Sequence, residues 1–333
     1  MQHPFDNPAF NMAALTAAIN IIPNRYGLLG ELGLFPAKPV RTRTVLVEEY
    51  AGRLTLLPTR PVGSPGTVAQ AGKRTVRSFV IPHIPHDDVI LPDEVQGLRA
   101  FGSETEMEAL ANVMARHLAD LRNKHAITLE HLRMGAIKGQ ILDADGSVLV
   151  DLFAEYGIAQ QSIAFDLANN ASNVKKKCYD LLRAVEDRLL GEVSTGVMVL
   201  CSPEFFDALT THPKVEAAYA RWQEGQVLID DMRAGFTFAG ITFREYRGQV
   251  TTPDGTTRRF IAAGEAHAFP LGTMDTFGTY FAPADFNETV NTLGQELYAK
   301  QEPREFDRGV NLHSQSNPLP MCHRPGVLVK LTV

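Results

Sequence analysis

Cysteine is scarce in this sequence: its 333 residues include only Cys178, Cys201 and Cys322. They are widely spaced and odd in number, so they form neither a disulfide framework nor a zinc-binding pattern. Long hydrophobic runs are missing too, because no run approaches the roughly 18 residues of a membrane span. The N-terminal MQHPFDNPAF lacks the positive start and apolar block of a signal peptide. We therefore expect a soluble, unexported protein with no membrane partner.

Positive charge is in short supply. The 32 Lys and Arg residues are outnumbered by 38 Asp and Glu, which gives a net charge of -6. This balance argues against nucleic-acid binding driven by the overall field of the protein and leaves open a local basic patch. The G-x-S-x-G and G-x-G-x-x-G motifs are absent, and GTVAQAGKR, from Gly66 to Arg74, fails the phosphate-loop pattern in spacing and in its last residue. We predict no cofactor, no catalytic residue and a structural role.

One segment could suggest metal chemistry: IPHIPHDDV, from Ile81 to Val89, places His83, His86, Asp87 and Asp88 close together. Pro82 and Pro85 favour an extended chain, in which residues three apart point to opposite sides. The two histidines are therefore poorly placed to share one ion, and we predict no metal site. The segment is interpreted as a polar connector. A metal-dependent hydrolase centred on His83, His86 and Asp87 is the rival hypothesis, which stoichiometric zinc or manganese would support.

Residues 1–39 carry two short apolar segments, NMAALTAAIN and RYGLLGELGLF, which are too short to be stable helices alone and predict an N-terminal arm. After them, the segments 40–57 and 73–81 are rich in β-branched residues, which predicts two strands with a turn-rich tip between them. A hairpin with arms of about 10 to 18 residues extends roughly 30–60 Å. A compact chain of this length has a radius of gyration of about 20 Å. The hairpin should therefore project beyond its own subunit.

An isolated two-stranded ribbon is barely stable in water, and its open edges invite association. A neighbouring copy of the same chain is the simplest cover for it. Charged side chains would then fix the register of the contact. The candidate subunit-interface residues are seven basic and two acidic side chains of the hairpin: Arg41, Arg43, Glu48, Glu49, Arg53, Arg60, Lys73, Arg74 and Arg77.

The clearest helix signal follows. Ser103 and Glu106 form a capping box, and apolar residues then recur near helical spacing, which predicts one helix over 103–138. Its length is about 50 Å at ~1.5 Å per residue. GQILDADGSVLVDLF predicts a β-hairpin with its turn at Asp145-Gly146. The helix NVKKKCYDLLRAVEDRLL should bury one face made of Val174, Cys178, Leu181, Val185 and Leu189.

Shorter elements complete the pattern. GVMVLC predicts a buried strand, and Ser202-Pro203 and Pro213 each predict the start of a short helix. ITFREYRG and RRFIAAG are interpreted as strands that flank a turn at Pro253-Asp254-Gly255. PGVLVKLTV predicts a final strand. These mixed elements favour an α+β fold.

Several stretches, taken in order, carry a family resemblance: VRTRTVLVEEYAGRLTLLPTRPVGSPG, IPHIPHDDVILPDEVQGLRAFGSE, AHAFPLGT, FAPADFNETVNTLGQELYAK and SNPLPMCHRPGVLV. They span roughly residues 10–333. In this order the chain resembles the major capsid protein of lambda-like tailed phages, the family often called phage major capsid protein E.

The resemblance implies the Johnson-type fold of tailed-phage capsids. In its terms the N-arm is 1–39, the extended loop is 40–82, and the peripheral domain is 83–159 with its spine helix at 103–138. The axial domain is mainly 160–300, and the returning strands of the peripheral domain are 301–333. The segment IPHIPHDDV becomes the link between extended loop and spine helix, where its side chains serve packing and inter-subunit hydrogen bonds.

The function implied is self-assembly into hexamers and pentamers of an icosahedral head shell, in a virion or prophage particle assembled in the bacterial cytoplasm. The partners implied are a scaffold protein, a portal, a decoration protein and double-stranded DNA enclosed without sequence-specific contacts. Some related shells cross-link through a Lys-Asn bond, for which Lys73 is the candidate, whereas lambda-like shells use a decoration protein. The rival readings are an encapsulin-like bacterial nanocompartment, a tail-tube protein and the hydrolase above.

Overall fold

A computed structural model describes residues 10–23, 27–50, 74–95, 106–189, 191–222, 232–252 and 255–333. Its helices are α1 Met12–Ile21, α2 Leu28–Glu31, α3 Pro92–Val95, α4 Glu106–Lys138, α5 Leu152–Tyr156, α6 Val174–Leu189, α7 Pro203–Thr210 and α8 Pro213–Trp222. Within these ranges, no helix combines the length and the apolar character needed to cross a membrane.

The strands in the first half of the chain are β1 Ala37–Pro39, β2 Thr44–Tyr50, β3 Arg74–Val80, β4 Ile84–Ile90, β5 Gln140–Leu142, β6 Val148–Asp151 and β7 Gln161–Ala164. Those in the second half are β8 Gly196–Cys201, β9 Phe236–Phe238, β10 Ile241–Glu245, β11 Gln249–Thr251, β12 Thr257–Arg259, β13 Glu265–Leu271, β14 Phe277–Phe281, β15 Tyr298–Pro303, β16 Val310–Ser316, β17 Pro318–Cys322 and β18 Val329–Thr332. This mixture confirms the α+β class.

The chain forms two compact units, each built from three segments. The first draws on described residues within 1–45, 80–133 and 277–321, and the second on those within 46–79, 134–276 and 322–333. The five-part division taken from the resemblance stays a prediction.

The core of the first unit lies between the long helix α4 and a three-stranded sheet in the order β15-β16-β4. α4 begins at Glu106 among the described residues and ends at Lys138, as its apolar spacing predicts. Helix α1 packs against β15 on this sheet. The core therefore joins the N-terminal arm, the long helix and the sheet through the buried residues Phe10, Leu15, Ile19, Ile90, Val113, Met114, Leu118, Leu121, Leu297, Ala299 and Leu312.

The prediction of a connector at IPHIPHDDV is wrong, because Ile84–Ile90 forms strand β4 and pairs antiparallel with β16. β4 lies at the edge of its sheet, where a proline such as Pro85 is tolerated because no second ladder needs its missing N–H. The two prolines that suggested an irregular extended segment are therefore compatible with a strand.

A second sheet of the first unit, in the order β1-β14-β17, holds the end of the N-terminal arm. β1 runs parallel to β14, and just beyond it the Val40 N–H donates to the Phe281 carbonyl at 2.9 Å. The Val40 carbonyl accepts from the Gly294 N–H, also at 2.9 Å. Both polar groups of Val40 are thus fixed at the point where the arm ends and the hairpin region begins.

The second unit is built around a six-stranded sheet in the order β7-β18-β13-β8-β10-β9. Helix α6 buries the five residues predicted for its inner face. Ser202 caps α7 by accepting from the Phe205 N–H, with Pro203 in the first turn, and Pro213 opens α8 as expected. The predicted hairpin at Asp145-Gly146 is present as β5 and β6, with Gly146 at a φ of 92°.

One prediction for the second unit needs correction. The strand ITFRE does not flank the turn near residue 254: as β10 it pairs parallel with β8 in the large sheet, and the hairpin is formed by β11 and β12 instead. The last strand, β18, pairs with β13 and β7, and its alternating buried residues Val329 and Leu331 complete the core of the six-stranded sheet.

Candidate functional site

The most prominent candidate surface is the ribbon, which we define as the paired strands β2 and β3. Its pairing confirms the two-stranded hairpin predicted from the sequence, and the Ile81 N–H continues it by donating to the Arg43 carbonyl at 2.8 Å. The predicted tip, 51–73, lies outside the described residues.

The two faces of the ribbon differ in burial, because successive side chains of a strand alternate. Val45, Val47 and Phe79 are buried on one face. On the other face Leu46, Val76 and Val80 are 65%, 52% and 71% exposed. An exposed aliphatic row on a two-stranded ribbon is typical of a surface that another chain covers.

Eight of the nine predicted interface residues fall into three groups. Arg43 places Nη2 3.2 Å from Asp285 Oδ1 of its own chain, and Arg41 is exposed. Glu48, Glu49 and Arg74 belong to the ribbon strands, and their side chains are outside the described part. Lys73, the cross-linking candidate, also lies outside the described residues, as do Arg53 and Arg60. Their role in subunit contacts stays a prediction.

Arg77 makes the most specific contact of the ribbon. Its guanidinium lies 4.5 Å from the centre of the Tyr156 ring, and Nε donates to the Glu155 carbonyl at 2.7 Å. Both partners belong to the last turn of α5, whose carbonyls have no partner within the helix. The arginine therefore supplies a donor where the short helix ends.

The imidazoles and carboxylates of IPHIPHDDV are distributed to different partners. His83 Nδ1 donates to Asn317 Oδ1 at 2.8 Å, whereas His86 Nε2 accepts from Lys124 Nζ at 2.9 Å. Asp87 pairs across the ladder with His313 on β16. The side chains thus join β4 to α4 and to β16 within one chain, and the inter-subunit hydrogen bonds expected of them stay a prediction.

Asp88 takes part in a three-residue bridge that we call the His117 triad. His117 on α4 places Nδ1 2.7 Å from Asp88 Oδ2 and Nε2 2.9 Å from Glu94 Oε2. A carboxylate only accepts, and a neutral imidazole carries one N–H, so both bonds together require the imidazolium. The triad ties α4, β4 and α3 together in the charged state of the ring.

The pKa values of the triad reflect this arrangement. Burial alone would lower the pKa of His117, but hydrogen bonds to Asp88 and Glu94 outweigh it and raise the value above the usual 6.5. Burial would raise the pKa of Asp88, whereas the His117 and Val89 hydrogen bonds lower it overall. The Leu91 N–H and His117 lower the pKa of Glu94.

Replacing His117 should therefore destabilise the chain in a pH-dependent way. Because the pKa of His117 is raised in the folded chain, its contribution to stability is fully present below pH 6.5 and is lost as the pH rises through the folded pKa. The contribution of Glu94, whose pKa is lowered, is fully present only above pH 4.5. We expect His117→Gln to lower the free energy of unfolding by about 1 kcal/mol near pH 5.5 and by progressively less as the pH rises through the folded pKa of His117, as urea denaturation would measure. An equal loss at every pH would contradict the triad.

Two further polar side chains beneath β4, Ser314 and His125, form hydrogen bonds to each other and to the strand. The Ser314 hydroxyl donates to the His86 carbonyl at 3.0 Å and accepts from His125 Nε2 at 3.0 Å. Burial lowers the pKa of His125 to about 4, so this ring is neutral near pH 7. In the part of the chain that the structure describes, no group of three or more His, Cys, Asp or Glu side chains is arranged to hold a metal.

The three cysteines are free and buried. Burial raises the pKa of Cys178 and of Cys322 to about 12 and also raises that of Cys201. The thiolate is the reactive form, so these side chains are poor nucleophiles near neutral pH.

Three features of the site were not found from the sequence. The partners in the His117 triad, and Arg77 with Tyr156, are far apart along the chain and join only through tertiary structure. The third is Phe306, at the turn between β15 and β16, which is 83% exposed with a φ of 58°. A large aromatic residue in the left-handed region is a local signal of constraint, but its sequence, PREFDRG, resembles an ordinary polar turn.

Comparison with known proteins identifies the family to which this chain belongs. The family model described as phage major capsid protein E matches residues 11–333. The major capsid protein of Pseudomonas phage KPP10 is 33% identical, with 96% of each chain covered. That of Salmonella phage Felix O1 (isolate Felix O1-VT1) is 31% identical over 96% of this chain and 95% of the relative.

Solved structures agree on the fold. A prophage protein from E. coli CFT073, described as a capsid protein, superposes with a TM-score of 0.58 at 15% identity, with 97% of this chain and 99% of that chain covered. The mature capsid of bacteriophage PhiM1 gives a TM-score of 0.53 at 15% identity, with 90% and 85% covered. The chain therefore belongs to the phage major capsid protein E family, the major capsid proteins of tailed phages.

Proposed function

We propose that this chain self-assembles into hexamers and pentamers that close into an icosahedral phage head. The observation that carries the proposal is the ribbon, which buries Val47 and Phe79 on one face and exposes Leu46, Val76 and Val80 on the other. Covering the exposed row would be favourable, because burial of apolar surface contributes about 25 cal/mol per Å² to the free energy of association. A neighbouring subunit supplies that cover in every copy at once.

The head would enclose double-stranded DNA without reading its sequence. A net charge of -6 supports this, because a strongly cationic wall would bind phosphates tightly and hold the DNA in place. A scaffold protein, a portal and a decoration protein are the proposed partners, and a lambda-like organisation of the shell belongs to the same proposal. We assign the chain no catalytic activity and place it in the virion, with assembly in the cytoplasm of the host.

Electron microscopy of the expressed protein tests this function. We expect the purified chain, alone or with the products of neighbouring genes, to form closed shells of uniform diameter. Nuclease-resistant double-stranded DNA inside particles from a productive infection would support a phage head. Enzyme cargo without DNA would favour the encapsulin-like compartment, and open tubes or rings would favour a tail protein. Either result would overturn the proposal.

A further inference from the structure

Among the described residues of the ribbon, Arg77 makes a directional attachment to α5. Arg77 lies on the same face as the buried Phe79, because the two residues are two positions apart in β3. Burial of aliphatic and aromatic surface is non-directional. The burial of Val47 and Phe79 therefore keeps the ribbon against its own subunit but does not fix the direction in which the ribbon runs. The guanidinium is planar, and its contacts impose a definite geometry.

Helix α5, which Arg77 contacts, is fixed at both ends. Asp151 caps the start of α5 by accepting from the Ala154 N–H, and Gly157 ends it in the left-handed conformation with a φ of 63°. Between these caps, the Glu155 carbonyl accepts from Arg77 Nε while the Tyr156 ring lies beneath the guanidinium. A cation over an aromatic ring contributes about 0.5–1 kcal/mol at exposed sites, and more when it is desolvated.

We propose that Arg77, Glu155 and Tyr156 form a latch that sets the direction in which the ribbon leaves its own subunit. Arg77 is then a positioning residue for assembly, which deepens the proposed function and rests on it. The ribbon can meet a neighbouring subunit in register only if its direction is the same in every copy. The latch supplies that uniformity before any neighbour is present.

The direct measurement is the distance between the ribbon and helix α6 of the same chain. Spin labels at Ser78→Cys on the ribbon and Glu186→Cys on α6 would report it, since both native side chains are exposed and both lie in the second unit. The three native cysteines are buried with raised pKa values, so they should label slowly. Measurements on unassembled subunits avoid distances between chains.

Two substitutions should loosen the latch from opposite sides. Arg77→Met keeps an apolar stem but removes the donor and the charge, and Tyr156→Leu removes the ring. We expect each to broaden the distance distribution at least twofold and to lower the yield of closed shells at least tenfold. Tyr156→Phe, which keeps the ring face, should retain the native width and yield. Arg183→Met is the matched control, because Arg183 is an exposed arginine on α6 that pairs with Asp180.

The outcomes distinguish failure of the latch from failure of the proposed function. If Arg77→Met and Tyr156→Leu both keep the native distance width and shell yield, the latch is wrong even though the chain builds shells. If Arg77→Met does not fold, Tyr156→Leu decides by the same two measurements. If the unmodified chain forms no shells, the proposed function fails, while the distance widths of unassembled subunits still test the latch.

Discussion

Leu46→Asp or Val76→Asp should abolish shell formation while leaving the subunit folded. Both side chains are more than half exposed on the outer face of the ribbon, so a carboxylate there remains hydrated in the free subunit. In a shell the same carboxylate would be buried against a neighbour without a partner, which costs about 1–3 kcal/mol or more per contact. Because every subunit repeats the contact, we expect the yield of closed particles in sedimentation to fall more than tenfold.

Val76→Thr is the matched control for this prediction, since threonine has nearly the shape of valine and introduces no charge. It should assemble with a yield within about twofold of the unmodified chain, and all variants should melt within about 3 °C of it, because surface substitutions usually change stability little. Normal shells from both aspartate variants would show that the outer face of the ribbon is not a subunit contact.

Gly294→Ala should have the largest effect on stability. A Cβ at this position would overlap the Phe281 carbonyl oxygen and lie 2.7 Å from the Ala282 carbonyl carbon, both backbone atoms that cannot rotate away. Relief requires separating Gly294 from Val40, whose carbonyl accepts its N–H. We expect a loss of about 3 kcal/mol or more in the free energy of unfolding, measured by urea denaturation of unassembled subunits.

Gly196→Ala provides the comparison, because a Cβ on Gly196 meets no atom within 4 Å. It should leave stability within about 1 kcal/mol of the unmodified chain. Similar stabilities for the two alanine variants would mean that the close packing at the end of the N-terminal arm is not as tight as the structure shows.

The sequence was most informative where one periodic pattern acted alone. The apolar spacing of α4, the buried face of α6 and the Ser202-Pro203 cap are local signals that tertiary packing reinforces. Prediction failed where the partner was distant in the chain. Pro82 and Pro85 suggested a connector, because nothing nearby reveals that β16, more than 200 residues later, offers an edge for β4 to pair with.

For the candidate site too, local patterns were predictive and distant partners were not. Richness in β-branched residues predicted the ribbon, and its exposed aliphatic row follows from the alternation of side chains along each strand. Its charged residues were grouped from composition alone, which could not show that Arg43 reaches Asp285 and Arg77 reaches Tyr156 of the same chain. The His117 triad was missed for a similar reason: its three members lie on three elements and are separated by up to 29 positions.

Hydrogen exchange of the ribbon amides, compared between unassembled subunits and closed shells, tests the central claim most directly. β2 and β3 form a sheet of two strands in the single chain. If an identical neighbour completes them, their amides should exchange rapidly in the subunit and at least tenfold more slowly in the shell. Slow exchange of residues 44–50 and 74–80 in a chain that stays monomeric at high concentration would contradict the account.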